Sequence, residues 1–145
     1  MKRNTQRAVA VSVAIMMLIS CAGNRAPRVQ AQNAALAVGE AILAIDQAER
    51  TLYATGTMVY TKADHDRVGA GILKALYASR ALERAVAGWP QDGSSTNDAV
   101  DQASAGLLSA LADLESILPA TEQARVVLVS TIRAARAALA AWRQP

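Results

Sequence analysis

Apolar residues recur at alternating four- and three-residue steps through much of the chain beyond residue 29. The clearest series consists of Val68, Ile72, Ala75, Ser79, Leu82, Val86 and Trp89. This spacing places side chains along one side of an α-helix and is typical of a helix that packs against other helices. The pattern therefore predicts a helix over residues 62–89, which Pro90 ends because proline cannot continue a helix.

Similar series predict three more helices, over about residues 29–54, 98–118 and 120–143. Their apolar positions are Val38, Ile42, Ile45 and Leu52; Val100, Leu107, Leu111, Leu114 and Leu118; and Leu128, Ile132, Ala135, Leu139 and Trp142. In the first series, Glu49 takes the place where another apolar residue would fall. Because short connections place successive helices antiparallel, we expect an all-α fold of antiparallel hairpins, a small four-helix bundle.

Three local signals predict where the helices begin and end. Thr61 can cap the second helix, and Asp64 three residues later can complete a capping box. Gly56 is expected to end the first helix. Residues 90–97, with the sequence Pro-Gln-Asp-Gly-Ser-Ser-Thr-Asn, predict the clearest loop.

A weak internal repeat is visible between residues 44–55 and 110–121, which agree at five of twelve positions. Glu49 aligns with Glu115, and further along Trp89 aligns with Trp142 at a shorter offset. One interpretation is two related helical hairpins. The other is that alanine-rich helices resemble one another by composition alone. For both tryptophans, a core position is favoured over an exposed site for a partner.

Composition narrows the class of protein. Hydrophobic residues make up 52% of the 145, but aromatic residues only 3%, and phenylalanine is absent. The core must therefore consist of alanine, leucine, valine and isoleucine, and the alanine content favours helix. The net charge of +3 comes from Lys2, Arg3 and Arg7, since the remaining residues hold 12 basic and 12 acidic side chains. The basic pI thus does not indicate nucleic-acid binding, and none is predicted.

The N-terminus has the pattern of an export signal. Residues 1–7 are polar and basic, and residues 8–19 carry no charge. That uncharged run is shorter than the roughly 20 residues that span a bilayer. The segment Leu18-Ile19-Ser20-Cys21 resembles the lipobox of bacterial lipoproteins, with an aliphatic residue three before the cysteine and a small residue directly before it.

The lipobox resemblance implies cleavage between Ser20 and Cys21 and lipid attachment to the sulfur of Cys21, the single cysteine of the chain. Ala22 rather than aspartate follows, which in the family's rule implies the periplasmic face of the outer membrane in a Gram-negative cell. We therefore divide the chain into a signal peptide (1–20), a tether (21–28) and a helical domain (29–145). An ordinary secretory signal that releases a soluble protein, or an uncleaved anchor, is also compatible with these residues.

Candidate chemistry is sparse. The sole histidine lies in Asp64-His65-Asp66, and three consecutive helical side chains point in different directions, so a solvated first turn is expected rather than a metal site. Gly69-Ala70-Gly71 lies within a helical pattern and predicts close helix packing rather than a phosphate loop. No catalytic residue, metal ligand or cofactor other than the lipid on Cys21 is predicted, and we do not expect an enzyme.

These observations favour a membrane-anchored, non-enzymatic interaction or structural component of the bacterial envelope, with a protein partner or self-association through its helices. Two alternatives are a phage- or prophage-encoded lipoprotein that acts in lysis or superinfection exclusion, and a periplasmic carrier of an apolar ligand. Residues 98–122 contain acids but no base, and residues 123–145 contain four arginines but no acid. We expect these segments to pair within the chain rather than with another chain.

Overall fold

The computed structural model of this chain describes residues 27–56, 60–90, 97–118 and 122–143, except for the side chains of 122–125, 127 and 141–143. Four helices make up this part of the protein: α1 (Pro27–Ala54), α2 (Lys62–Ala87), α3 (Asp98–Ile117) and α4 (Glu122–Arg143). The prediction of an all-α helical bundle is confirmed. The predicted signal peptide, its cleavage site and Cys21 lie outside the described residues.

The start of α1 differs from the prediction. The helix begins at Pro27, so the last two residues of the predicted tether are helical. Proline is well suited to the first turn because its missing N–H has no helical partner there. The Arg28 guanidinium donates a hydrogen bond to the Ala87 carbonyl at 3.3 Å, which joins the start of α1 to the end of α2.

The helix ends follow local chemistry. The Thr61 hydroxyl accepts from the Asp64 N–H while the Asp64 carboxylate accepts from the Thr61 N–H, so the predicted capping box is confirmed. Gly56, the second residue after α1, has φ of 66°, a left-handed conformation that glycine adopts without strain. The Asn97 side chain accepts from the Val100 N–H and caps α3, a role that the sequence analysis missed by assigning Asn97 to the loop.

The predicted apolar stripes form the core. α1 packs against α2 and α4, and α3 completes the ring by packing against α2 and, less extensively, α4. The largest fully buried apolar side chains are Ile42, Ile45, Ile72, Leu82, Leu107, Leu111, Leu114, Leu128, Ile132 and Leu139. Trp89 is buried just beyond α2, as expected, whereas Leu52 is only half-buried. The Trp142 side chain is outside the described residues.

Two glycines allow neighbouring helices to approach closely. A Cβ on Gly71 would lie 2.7 Å from Ile117 Cδ1, so the bare backbone permits the close contact between α2 and α3. A Cβ on Gly39 would lie 3.1 Å from Glu83 Oε1 and 3.2 Å from Ser79 Oγ, which shows the same closeness between α1 and α2. Gly69 has no atom within 4 Å of its Cβ position, so the packing role predicted for this segment is wrong for Gly69.

Within the described residues, no helix combines the length and apolar character that crossing a bilayer requires.

Candidate functional site: a buried glutamate between α1 and α2

The most chemically distinctive group of side chains lies where α1 ends and α2 begins. It consists of Glu49, Tyr53, Tyr60 and His65, hereafter the Glu49 cluster. Glu49 and Tyr53 share one face of α1 because they are four residues apart. Tyr60 lies just before α2 and His65 in its first turn, so the connection between the helices brings all four together.

Glu49 is only 1% exposed, and a buried carboxylate needs hydrogen-bond donors. Its Oε1 accepts a hydrogen bond from the Tyr60 hydroxyl and lies 2.6 Å from His65 Nδ1. An ionised carboxylate can only accept, so in that form of the pair Nδ1 carries the proton. One donor just before α2 and one in its first turn thus satisfy an acid that α1 places in the core.

Aromatic contacts hold the histidine in place. The rings of His65 and Tyr53 are stacked, with centroids 3.9 Å apart and planes 2° from parallel. Tyr60 lies against the same pair, its ring centroid 5.6 Å from that of Tyr53. Because the His65 side chain is 26% exposed, the cluster runs from the buried carboxylate to the surface of the bundle.

The three residues Asp64, His65 and Asp66 do point in different directions, as predicted. Asp64 is hydrogen-bonded to Thr61, and Asp66 lies 2.6 Å from the Lys62 ammonium. Hydrogen bonding to Thr61 lowers the pKa of Asp64. The expectation of a solvated turn is wrong for His65, because its ring turns inward to Glu49 across the helix interface.

An acid that hydrogen-bonds Nδ1 of a histidine is the arrangement that orients general bases and metal-bound imidazoles. The described residues provide neither a set of three His, Cys, Asp or Glu side chains that could hold a metal nor a nucleophile bonded to His65. What the contacts do is join the last turns of α1 to the first turn of α2. The Glu49 cluster therefore holds the end of α1 against the start of α2 through polar and aromatic contacts.

A partial signal for this cluster is present in the sequence. Glu49 interrupts an otherwise apolar stripe, which already indicates a buried acid in need of a partner. The sole histidine and two of the three tyrosines lie within sixteen residues of it. Sequence spacing alone does not identify His65 and Tyr60 as the donors. Which residues lie next to Glu49 depends on the conformation of the connection between α1 and α2.

A second acid is paired across the other hairpin. Glu115 on α3 accepts from Arg133 Nε at 2.8 Å and from Arg136 Nη1 at 2.7 Å, both on α4. The hydrogen bond from Arg133 is the main reason that the pKa of Glu115 lies below its ordinary value; burial opposes this effect and Arg136 adds to it. These contacts confirm that the acidic and arginine-bearing segments pair within the chain.

Comparison with protein-family models, with curated proteins and with solved structures finds no match to this chain. The residues predicted as the site of cleavage and lipid attachment, Ser20 and Cys21, lie outside the described residues.

Proposed function

We propose that this chain is a bacterial lipoprotein whose helical bundle is a non-enzymatic interaction component of the cell envelope. The export-signal pattern and the single cysteine at the end of Leu18-Ile19-Ser20-Cys21 support the anchor. α1 begins six residues after Cys21, and six residues of chain reach at most about 20 Å. A lipid on Cys21 would therefore hold the start of α1 close to the membrane.

The observation that carries the interaction role is an exposed apolar patch on α1 and α2. Leu36, Leu43, Leu73 and Tyr77, hereafter the α1/α2 outer face, are between 52% and 68% exposed. Among the described residues, α3 has no large apolar side chain exposed to this degree. A clustered apolar surface bordered by polar residues is typical of a protein contact site.

The contacts of the sole histidine support a non-enzymatic role. His65 Nδ1 is hydrogen-bonded to Glu49, and its ring is stacked on Tyr53. Histidine is the side chain best suited to proton transfer, and here it is used to hold α2 against α1. Acids on α3 are likewise used in ion pairs, Glu115 with two arginines and Asp113 with Lys74. These charged groups stabilise the bundle and do not converge on one point.

Replacement of the lipid-accepting residue tests the anchor. The wild-type chain should incorporate labelled fatty acid and sediment with membranes, whereas Cys21→Ser should do neither, because no thiol remains for lipid attachment. As a matched control, Ala22→Asp should keep the lipid and, by the lipobox rule, move to the inner membrane. A Cys21→Ser chain that remains membrane-bound would refute the anchor.

Site-specific photo-crosslinking in native envelopes tests the interaction role. A photoreactive residue at Leu43, on the α1/α2 outer face, should give a discrete crosslinked product. The same residue at Gln102, exposed on α3, is the control and should give none. Equal reaction at both positions, or none at either, would argue against a contact site on α1 and α2.

A further inference from the structure

The α1/α2 outer face combines apolar residues with charges that have no partner within the described chain. Most charged side chains of α2 and α3 are in ion pairs, among them Lys62, Arg67, Lys74, Asp113 and Glu115. By contrast, Glu40 on α1 and Arg80 and Arg84 on α2 form no ion pair with another described residue. Within the described residues, the hydrogen bond of these three side chains is the one from Arg84 Nε to the Arg80 carbonyl, on the same helix.

Helix geometry places the four apolar residues on one outer side of the pair. Gly39 of α1 faces Ser79 and Glu83 of α2, whereas Gly71 on the opposite flank of α2 faces α3. Leu36 and Leu43 are two turns apart, on the flank of the stripe next to Gly39. Leu73 holds the corresponding place on α2, next to the side that Glu83 occupies, and Tyr77 lies one turn from it.

The register between the helices sets the heights of these residues. Leu43 lies between Gly39 and Glu49, and Leu73 lies between His65 and Ser79. Since Gly39 faces Ser79 and Glu49 faces His65, Leu43 and Leu73 lie at matching heights along the bundle. Glu40 follows Gly39 in the chain and therefore lies level with Arg80 and Arg84, which follow Ser79 and Glu83.

The two helices of this surface differ in charge. Between residues 29 and 49, α1 contains acids but no base; between 67 and 87, α2 contains four bases and a single acid, Glu83, which lies towards Gly39. A two-fold axis parallel to the helices would place α1 of one chain against α2 of another. Glu40 of each copy would then face the partner's α2, on the side where Arg80 and Arg84 lie among Leu73 and Tyr77.

The expected orientation of the chain on the membrane also favours a two-fold axis parallel to the helices. Copies related by an axis parallel to the helices have their α1 starts at the same end, so two chains anchored through Cys21 can meet on one membrane. An axis perpendicular to the helices would instead set Glu40 against Glu40 and put the two α1 starts at opposite ends. Like charges that face one another oppose association.

From these observations, we propose that the α1/α2 outer face is a self-association surface that binds a second copy of this chain in parallel orientation. The pairing of Glu40 with Arg80 and Arg84 sets the orientation, and the apolar residues supply the contact area. This inference rests on the proposed interaction role, and in its choice of orientation on the proposed anchor.

Charge reversal in the full chain tests this surface. Glu40→Arg places bases at all three of positions 40, 80 and 84, and Arg80→Glu with Arg84→Glu places acids at all three. In cells that express two differently tagged copies, crosslinking between copies of either variant should fall roughly tenfold from wild type. When the basic variant is expressed with the acidic one, crosslinking should return towards the wild-type level, because bases of one chain then face acids of the other on both helices.

This mixed pair distinguishes repulsion from misfolding, since two misfolded chains would not restore each other. Variants that pair with themselves as well as wild type does, or a mixed pair no better than either alone, would refute the surface. A wild-type chain that stays monomeric while position 43 crosslinks to a different protein would assign the face to another partner and also refute it. Release of Cys21→Ser from membranes tests the anchor in a separate measurement, so a failure of the anchor can be distinguished from a failure of the surface.

Discussion

Each hairpin of the bundle places a glutamate of its first helix against donors of its second, but the two acids have different surroundings. Glu49 is 1% exposed and bonds to a histidine and a tyrosine, whereas the Glu115 side chain is 17% exposed and bonds to two arginines. Ile45 and Glu49 are both positions of the buried stripe of α1. Glu115 instead follows Leu114, the residue that occupies the stripe of α3.

One residue of helix rotates a side chain by about 100°, which is enough to move a carboxylate from the core to a flank. On the flank, guanidinium groups can reach the acid while they remain partly in water. In the core, tyrosine and histidine are more suitable donors to a carboxylate than arginine, because their rings also bury apolar surface. The internal repeat aligns Glu49 with Glu115, and these two residues occupy different positions on their helices. The structure therefore adds no support for a repeat, which stays a prediction.

Removal of the buried acid should have the largest effect. Glu49→Ala should lower the free energy of unfolding by about 3 kcal/mol, because it leaves a cavity and takes the acceptor from His65 and Tyr60. Urea denaturation of the full chain followed by circular dichroism measures this loss. Glu49→Gln, which keeps the volume and one acceptor oxygen, should lose clearly less. Glu115→Ala should cost below about 1 kcal/mol, and equal losses at both positions would invalidate the comparison.

Loss of the histidine should rank second. His65→Ala removes the bond to Glu49 and the stack on Tyr53, and should lower the free energy of unfolding by about 2 kcal/mol. The same denaturation measurement applies. Asp66→Ala, at the next and exposed position, is the matched control and should change stability by less than about 0.5 kcal/mol. A His65→Ala variant as stable as this control would mean that the Glu49 cluster does not stabilise the contact between α1 and α2.

The tyrosine hydroxyl isolates a single hydrogen bond. Tyr60→Phe keeps the ring beside Tyr53 but leaves Glu49 with one donor fewer, so the expected loss is about 1 kcal/mol. Tyr77→Phe removes a hydroxyl from the exposed α1/α2 outer face and should leave the unfolding free energy of the uncomplexed chain unchanged. If both variants unfold at the same urea concentration, the Tyr60 hydroxyl does not stabilise the buried carboxylate.

The acid of the second hairpin should show its effect through pH. Because the arginines hold the pKa of Glu115 below its ordinary value of 4.5, ionised Glu115 stabilises the folded chain above about pH 5. This contribution disappears as the pH falls below 4.5 and through the lowered pKa of the folded state. The stability difference between wild type and Glu115→Gln should therefore shrink in acid. A difference that grows on acidification would contradict the assigned direction.

Salt should give the smallest and most selective effect. Arg133 and Arg136 remain partly in water, so 1 M salt should reduce the cost of Glu115→Gln, itself below about 1 kcal/mol, by a few tenths. The cost of Glu49→Ala should hardly change, since cavity and hydrogen-bond losses are not screened. Paired denaturation curves at low and high salt measure both. Equal salt sensitivity at the two glutamates would show that their surroundings are not as different as their burial indicates.

Much of the local structure follows from neighbouring residues in the chain. The capping box of Thr61 and Asp64 and the left-handed Gly56 were predicted because they depend on contacts within a few residues. The cap at Asn97 uses equally local chemistry, but asparagine is as typical of a loop as of a cap, so its neighbours alone do not distinguish the two. The early start at Pro27 was missed because proline is compatible with both a tether and a first helical turn.

Long-range partners were harder to predict. The pairing of Glu115 with arginines was expected from the separation of acids and bases along the chain, which restricts the choice of partner. No such restriction applied to Glu49, whose donors belong to the next helix and the residues just before it. The same reason explains why Gly71 and not Gly69 lies against α3, since only the rotation of α2 distinguishes them.

By itself, the sequence determined the number of helices, their buried stripes and most of their ends, because helical periodicity and capping act over a few residues. Only the tertiary structure decided which helices are neighbours and at what height their residues meet. That choice turned Glu49 from an interruption in an apolar stripe into the centre of a buried cluster. It also left Glu40, Arg80 and Arg84 beside exposed leucines, because the register of α1 on α2 depends on packing between distant segments.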